Sequence, residues 1–227
     1  MNLVNSYPDP LIECNSEKLY FPSDDTYLII DYFKDHIDHN YFDGKNISDI
    51  NNILEIGTGT GIIAIYLQLL KEKYPKFTAN IFASDIMDEA IECAKKNEKL
   101  NKIDPQITFI KSDLFDSFPN NLKHTFDIII FNPPYLPSSK IMDKENQREK
   151  DLTWKGGKKG FELILRLLDE ISEYIRKDTT SYIYFITSSA TNLRELEDQI
   201  RKRGYNLELL DKKHIFFEDI LLNRIIY

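Results

Sequence analysis

The chain has 227 residues, enough for one α/β domain with a substantial core and too few for two full-sized ones. Its formal net charge of -8 sets a field that opposes a phosphate backbone, so nucleic acid is disfavoured as the main partner. Cys14 and Cys93 lie far apart and the four histidines show no metal-ligand spacing, while the start lacks an apolar signal core and no run approaches a membrane span; no metal, no disulfide and a cytoplasmic location are therefore expected.

Taken in chain order, Ser23-Asp24-Asp25 can cap a helix whose apolar side includes Leu28, Ile29, Tyr32 and Phe33, and Asp43-Gly44 predicts a turn. The chain then alternates strands and helices: a strand over 52–56, a helix over 62–73, a strand over 80–84 and a helix over 88–100. Strands over 107–111 and 126–131 follow, the second apolar on both faces at Ile128-Ile129-Ile130, as a central parallel strand requires. A polar stretch over 137–160 is longer than a routine connection, the length of a functional loop on the substrate side. Beyond it, apolar spacing predicts a helix over 161–176 through Phe161, Ile164, Leu165, Leu168, Ile171 and Ile175. A strand over 182–187, a helix over 192–203 ended by Gly204, and two apolar runs over 207–216 and 220–227 complete the chain. The pattern predicts one domain over 1–227, with a helical extension over 1–50 and an open α/β sheet, mostly parallel, closed by an antiparallel pair.

Glu55-Ile56-Gly57-Thr58-Gly59-Thr60-Gly61 falls where the first strong strand meets a helix, so its glycines can bring bare backbone against a ligand at the sheet's carboxyl edge. Gly59-x-Gly61-x-x-Ala64 also satisfies the dinucleotide fingerprint, and the spacing alone does not separate a nicotinamide from an adenosylmethionine site. Glu55 beside the loop suits the cationic methionine part of adenosylmethionine and opposes a pyrophosphate. Asp85 ends the second strand, where a carboxylate can accept ribose hydroxyls or cap the next helix. Asp113, after the third strand, can accept from an adenine amino group with Leu114 packed on the ring, or can cap a helix. The three acids end successive strands that converge on one crevice.

The fourth strand runs into Asn132-Pro133-Pro134-Tyr135. The Asn132 side-chain oxygen and the Pro133 carbonyl are two acceptors that can hold both protons of one NH₂ group, and Tyr135 can stack on its plane. Holding those protons orients the nitrogen lone pair for in-line attack on a sulfonium methyl, so catalysis is mainly positioning and requires no nucleophilic side chain. The motif fits an amide or a nucleobase amine equally.

With both motifs in place, the chain resembles the HemK/PrmC family of class I methyltransferases, which modify the glutamine of the Gly-Gly-Gln loop in peptide-chain release factors. Tyr20-Phe21-Pro22-Ser23-Asp24-Asp25-Thr26 and Trp154-Lys155-Gly156-Gly157 resemble the short eukaryotic and archaeal branch. The resemblance implies a Rossmann-like fold with a seven-stranded sheet and S-adenosylmethionine as cofactor. It implies Thr26, Glu55, Gly57, Gly59, Asp85, Asp113, Leu114 and Asn132 as cofactor contacts. Asn132, Pro133 and Tyr135 become the catalytic set, with Pro134, Tyr20 and Trp154 completing the substrate pocket. About 50 residues precede the glycine loop, leaving no room for the helical substrate-binding domain of bacterial members. A basic excess over Lys140–Gly160 is one candidate docking surface. The short branch commonly pairs with a small zinc-binding activator subunit through an edge strand, here the one over 107–111. Two other readings stand beside this one: an adenine-N6 or other nucleobase-amine methyltransferase acting on RNA or DNA, and a dinucleotide-binding protein in which the Asn-Pro-Pro-Tyr turn is structural.

Overall fold

The computed structural model describes residues 9–14, 18–103, 106–137 and 157–227. The run after Ser23 forms helix α1 (Asp24–Asp35), its apolar face buried through Leu28, Ile29, Ile30, Tyr32 and Phe33. Ser23 occupies the N-cap position, but its side chain makes no capping bond. Asp43-Gly44 turns between β1 (Tyr41–Phe42) and β2 (Lys45–Asn46), with φ of +47° and +80° as a two-residue primed hairpin turn requires.

The main sheet begins with β3 (Asn52–Ile56), α2 (Ile62–Lys73), β4 (Asn80–Asp85), α3 (Asp88–Leu100) and β5 (Ile107–Lys111). It continues through β6 (Ile128–Phe131), α4 (Glu162–Glu170), β7 (Tyr182–Ser188), α5 (Leu193–Lys202), β8 (Leu207–Ile215) and β9 (Glu218–Ile226). The strand order is β5-β4-β3-β6-β7-β9-β8, parallel from β5 to β7 and antiparallel where β9 pairs with β7 and β8. The expected seven-stranded sheet with its closing antiparallel pair is therefore present, and β5 lies at one edge.

All four residues of β6 are buried, because a strand in mid-sheet has a hydrophobic layer on both sides. Alternate residues divide between the layers: Ile53, Ile128 and Ile130 join the core beneath α1 and α2, whereas Leu54, Ile56 and Ile129 join the core beneath α4 and α5. Most expected boundaries hold to within two residues, and two of the departures have a visible cause. The ladder starts at Ile128, since Phe126 makes only an isolated bridge to Ile175 and Asp127 uses its carboxylate to accept from the Asn51 and Asn52 N–H groups. Helix α4 stops at Glu170, where the chain tightens into a 3₁₀ turn over Ile171–Glu173 that still buries Ile171.

This topology determines where a ligand can sit. β3 and β6 are neighbours whose following helices go to opposite faces, and their last residues, Ile56 and Phe131, are paired. Gly57 and Asn132 thus leave adjacent strand ends at the topological switch point, where open α/β sheets form their crevice.

Candidate active site

A cavity of about 280 Å³ opens at this point, bounded by the carboxyl ends of β3, β4, β5 and β6 and by the segment before α1. It brings together Tyr20, Thr26, Glu55, Gly57, Gly59, Asp85, Asp113, Leu114, Asn132, Pro133, Pro134 and Tyr135. Every site residue expected from the sequence lines it except Trp154, which lies outside the described residues. Most of the basic stretch over 140–160 lies outside them too.

The glycine loop is shaped by three residues at positive φ, and they serve different ends. A side chain at Gly59 (φ +54°) would meet nothing within 4 Å, so its backbone borders open space in the crevice. At Gly61 (φ +84°) a Cβ would stand 2.8 Å from the Ala94 Cβ, so this residue lets α2 and α3 approach. Gly57 (φ +67°) faces the Phe131 ring.

Glu55 is buried at the end of β3, and its Oε2 accepts from Thr58 Oγ1 at 2.7 Å and from the Ala64 N–H at 3.0 Å. It therefore ties the loop to the start of α2. Burial pushes its carboxyl up to about 8, with the two hydrogen bonds opposing the shift and the nearby Asp85 adding to it. Asp85 accepts from the Gly59 N–H and the Met87 N–H, both at 2.9 Å. Since Met87 is the N-cap of α3, Asp85 orders that entry while also lining the crevice. Its carboxyl is raised by burial against those same backbone donors.

Asp113 does not cap a helix. Both its oxygens accept from Arg166 Nη1, at 2.8 and 2.9 Å, and Arg166 reaches on to Glu170 at 3.1 Å. Arg166 lies on α4, so the cavity wall after β5 is braced by the element that follows the long loop. Leu114, next in the chain, is buried at φ +44°, a conformation unfavourable for a non-glycine residue and concentrated at functional sites.

The Asn-Pro-Pro-Tyr segment is held from two sides. Gly160 (φ +87°) packs so closely that a Cβ there would stand 2.3 Å from the Tyr135 carbonyl oxygen. On the other side, Asn132 Nδ2 donates to Thr26 Oγ1 at 3.2 Å, and the Tyr135 hydroxyl donates to Asp25 Oδ2 at 3.3 Å. Asn132 Oδ1 is buried and accepts no hydrogen bond among the described residues. A buried acceptor in this state is costly unless a ligand supplies the donor. The site can therefore receive an N–H group at Asn132 beside a glycine-bordered crevice lined by Asp25, Glu55, Asp85 and Asp113.

Arg166 and Asp25 were not singled out in the sequence. Arg166 sits among the apolar positions of a helix legible only as core, and Asp25 reads as half of a capping pair. The one local signal was a second aspartate where one cap suffices; Asp113 and Asp116 meet Arg166 only in the fold.

The methyltransferase small domain family matches residues 41–148. A Methanocaldococcus jannaschii protein that carries the name of a protein N5-glutamine methyltransferase is 31% identical over 207 residues, spanning 90% of each chain. A release factor glutamine methyltransferase of Aquifex aeolicus is 33% identical over 126 residues, 55% of this chain and 42% of the relative. The chain thus matches nearly the full length of the archaeal relative and less than half of the bacterial one. Among solved structures, the E. cuniculi Mtq2–Trm112 complex, described as responsible for methylation of the eRF1 translation termination factor, aligns with a TM-score of 0.57 at 21% identity. That alignment covers 92% of this chain and 98% of the other, and it speaks to the fold.

Proposed function

The chain belongs to the HemK/PrmC family of protein glutamine methyltransferases, and on that premise we propose that it methylates the side-chain amide of the Gly-Gly-Gln glutamine in a class I peptide-chain release factor. The observation that carries the reading is the Asn132 Oδ1, buried and without a partner among the described residues, beside the glycine-bordered crevice. A primary amide supplies the missing donor.

The residues present fit S-adenosylmethionine. Gly57 and Gly59 offer backbone, Asp85 offers acceptors to ribose hydroxyls, Asp113 to the adenine amino group, and Leu114 an apolar surface to the ring. Glu55 and Thr26 stand where the cationic amino-acid end would lie in this arrangement, and Glu55, raised to about 8, ionises more readily beside a positive charge. When bound, adenosylmethionine supplies an electrophilic methyl group on a sulfonium sulfur.

The work of the protein is then positional. Asn132 Oδ1 accepts one amide N–H and the Pro133 carbonyl accepts the other, which turns the nitrogen lone pair toward the methyl group and raises its electron density. Pro133 and Pro134 stiffen the segment that carries these acceptors. Tyr135, with Tyr20, walls the amide plane and keeps water out. Such positioning supplies up to roughly 7–11 kcal/mol of barrier reduction in favourable intramolecular reactions. The exposed edge strand β5 is available to a small activator subunit, zinc-binding in the short branch of the family.

The deciding experiment incubates the protein with labelled adenosylmethionine and a class I release factor. Label is expected in the factor, lost when its Gly-Gly-Gln glutamine is replaced, and reduced by about 10²-fold or more by Asn132→Ala with cofactor binding largely retained. Label in RNA or DNA in place of the factor would transfer the reading to a nucleobase amine.

A further inference from the structure

We propose that Asp25 is a positioning residue: its buried carboxylate dictates which way the Asn132 side-chain amide faces, and through it the aim of Oδ1 at the substrate. The inference rests on the reading above and deepens it.

Asp25 is 4% exposed and lies in the first turn of α1. Its Oδ1 accepts from the Thr26 N–H at 2.6 Å, from Thr26 Oγ1 at 3.2 Å and from the Tyr20 hydroxyl at 3.0 Å; its Oδ2 accepts from the Tyr135 hydroxyl at 3.3 Å. A carboxylate can only accept, so each of these hydroxyls must spend its proton on Asp25. The consequence for Thr26 is decisive. With its one hydroxyl proton committed, Thr26 Oγ1 can meet Asn132 only as an acceptor, and only the Nδ2 end of the amide can donate to it. The amide cannot flip without facing oxygen to oxygen. Oδ1 is thereby left on the far side, buried and unpartnered among the described residues.

The same carboxylate fixes the aromatic wall. Burial and the Asp25 charge raise the Tyr135 and Tyr20 hydroxyls above their ordinary values, so both remain protonated donors across the physiological range. One side chain therefore sets the polarity of the amide acceptor and tethers both tyrosines. The helix N-terminus, with Asp25 in its first turn, offsets part of the cost of burying the charge.

The test reads Asn132 directly. In protein labelled with ¹⁵N-asparagine, the side-chain amide signals of Asn132, assigned by their loss in Asn132→Ala, should shift and exchange faster with water in Asp25→Ala. Thr26→Val removes the relaying hydroxyl while leaving Asp25 in place, and it should move the same signals. In release-factor assays at saturating adenosylmethionine kcat should fall by about 10²-fold in Asp25→Ala, the scale of a small misplacement at a reacting centre. The double variant should be no slower than the slower single one, because both act through one amide. Unmoved Asn132 signals in either folded variant, or independent multiplying losses in the double, would overturn the assignment. If instead the signals move as expected while the unmodified protein labels no release factor, the substrate reading falls and the positioning role stands.

Discussion

Glu55 carries a charge conflict that can be measured. Its carboxyl is held at about 8 against an ordinary 4.5, so between those values the folded protein binds a proton that the unfolded chain has already released. Stability falls with rising pH wherever the native state holds more protons. The ligand-free protein should therefore lose stability from about pH 5 to pH 8 by this route, with no contribution below the unfolded value. Glu55→Gln isolates it, since a glutamine oxygen can still accept from Thr58 and Ala64. Thermal melts of the two proteins should agree near pH 5 and diverge toward pH 8, the wild type melting lower; parallel curves would remove Glu55 as the cause. At this scale the sequence was partly legible. The residues named from chemistry, Asn132, Glu55, Asp85 and Asp113, gather in one cavity because strand ends converge there. Asp25 and Arg166 were hidden, because their partners Tyr135 and Asp113 are 110 and 53 positions away and nothing local announces the pairing.

Among elements, the contact between α2 and α3 depends on one missing methyl group. A Cβ on Gly61 would lie 2.8 Å from the Ala94 Cβ and 3.1 Å from its Cα, and the residue also holds φ at +84°. Gly61→Ala should lower unfolding stability by about 2–4 kcal/mol, overpacking and backbone strain together. Adding Ala94→Gly should recover the contact portion alone, which chemical denaturation of the two variants would separate. Gly59 and Gly61 both satisfy the fingerprint, but Gly59 borders open space while Gly61 serves helix packing; spacing cannot distinguish the two uses. Periodicity marks α2 at 62–73 and α3 at 88–100 to their ends, because it persists over several turns, whereas the helix expected over 161–176 stops at Glu170, since the 3₁₀ turn after it continues the same apolar spacing. The β1–β2 ladder escaped, since two-residue strands have no period to read and only their Asp43-Gly44 turn shows.

Across the whole molecule, charge separates the two chemistries that the Asn-Pro-Pro-Tyr motif leaves open. An amide and a nucleobase amine present similar planar NH₂ groups, but a nucleic acid brings a phosphate backbone that must be neutralised, and binding draws much of its affinity from that neutralisation. This chain carries 37 acidic against 29 basic residues. The cavity itself is bordered by Asp25, Glu55, Asp85 and Asp113. Arg166 also borders it and pairs with Asp113, and burial pushes Glu55 up to about 8, so the field that opposes a phosphate backbone is that of the whole molecule. The stretch over 140–160 carries seven basic residues against four acidic ones, and screening confines the reach of such charges to about 10 Å at ordinary salt. Non-specific nucleic-acid binders show dissociation constants of about 10⁻⁴–10⁻⁶ M at physiological salt and tighten steeply as salt is lowered. This protein should show no retarded complex with single-stranded RNA or duplex DNA at about 10 µM protein even in 50 mM salt, and excess RNA should leave release-factor methylation unchanged. A salt-sensitive shift at that concentration, with RNA competing against the factor, would mean that the basic stretch outweighs the net field and that the amine acceptor is a base.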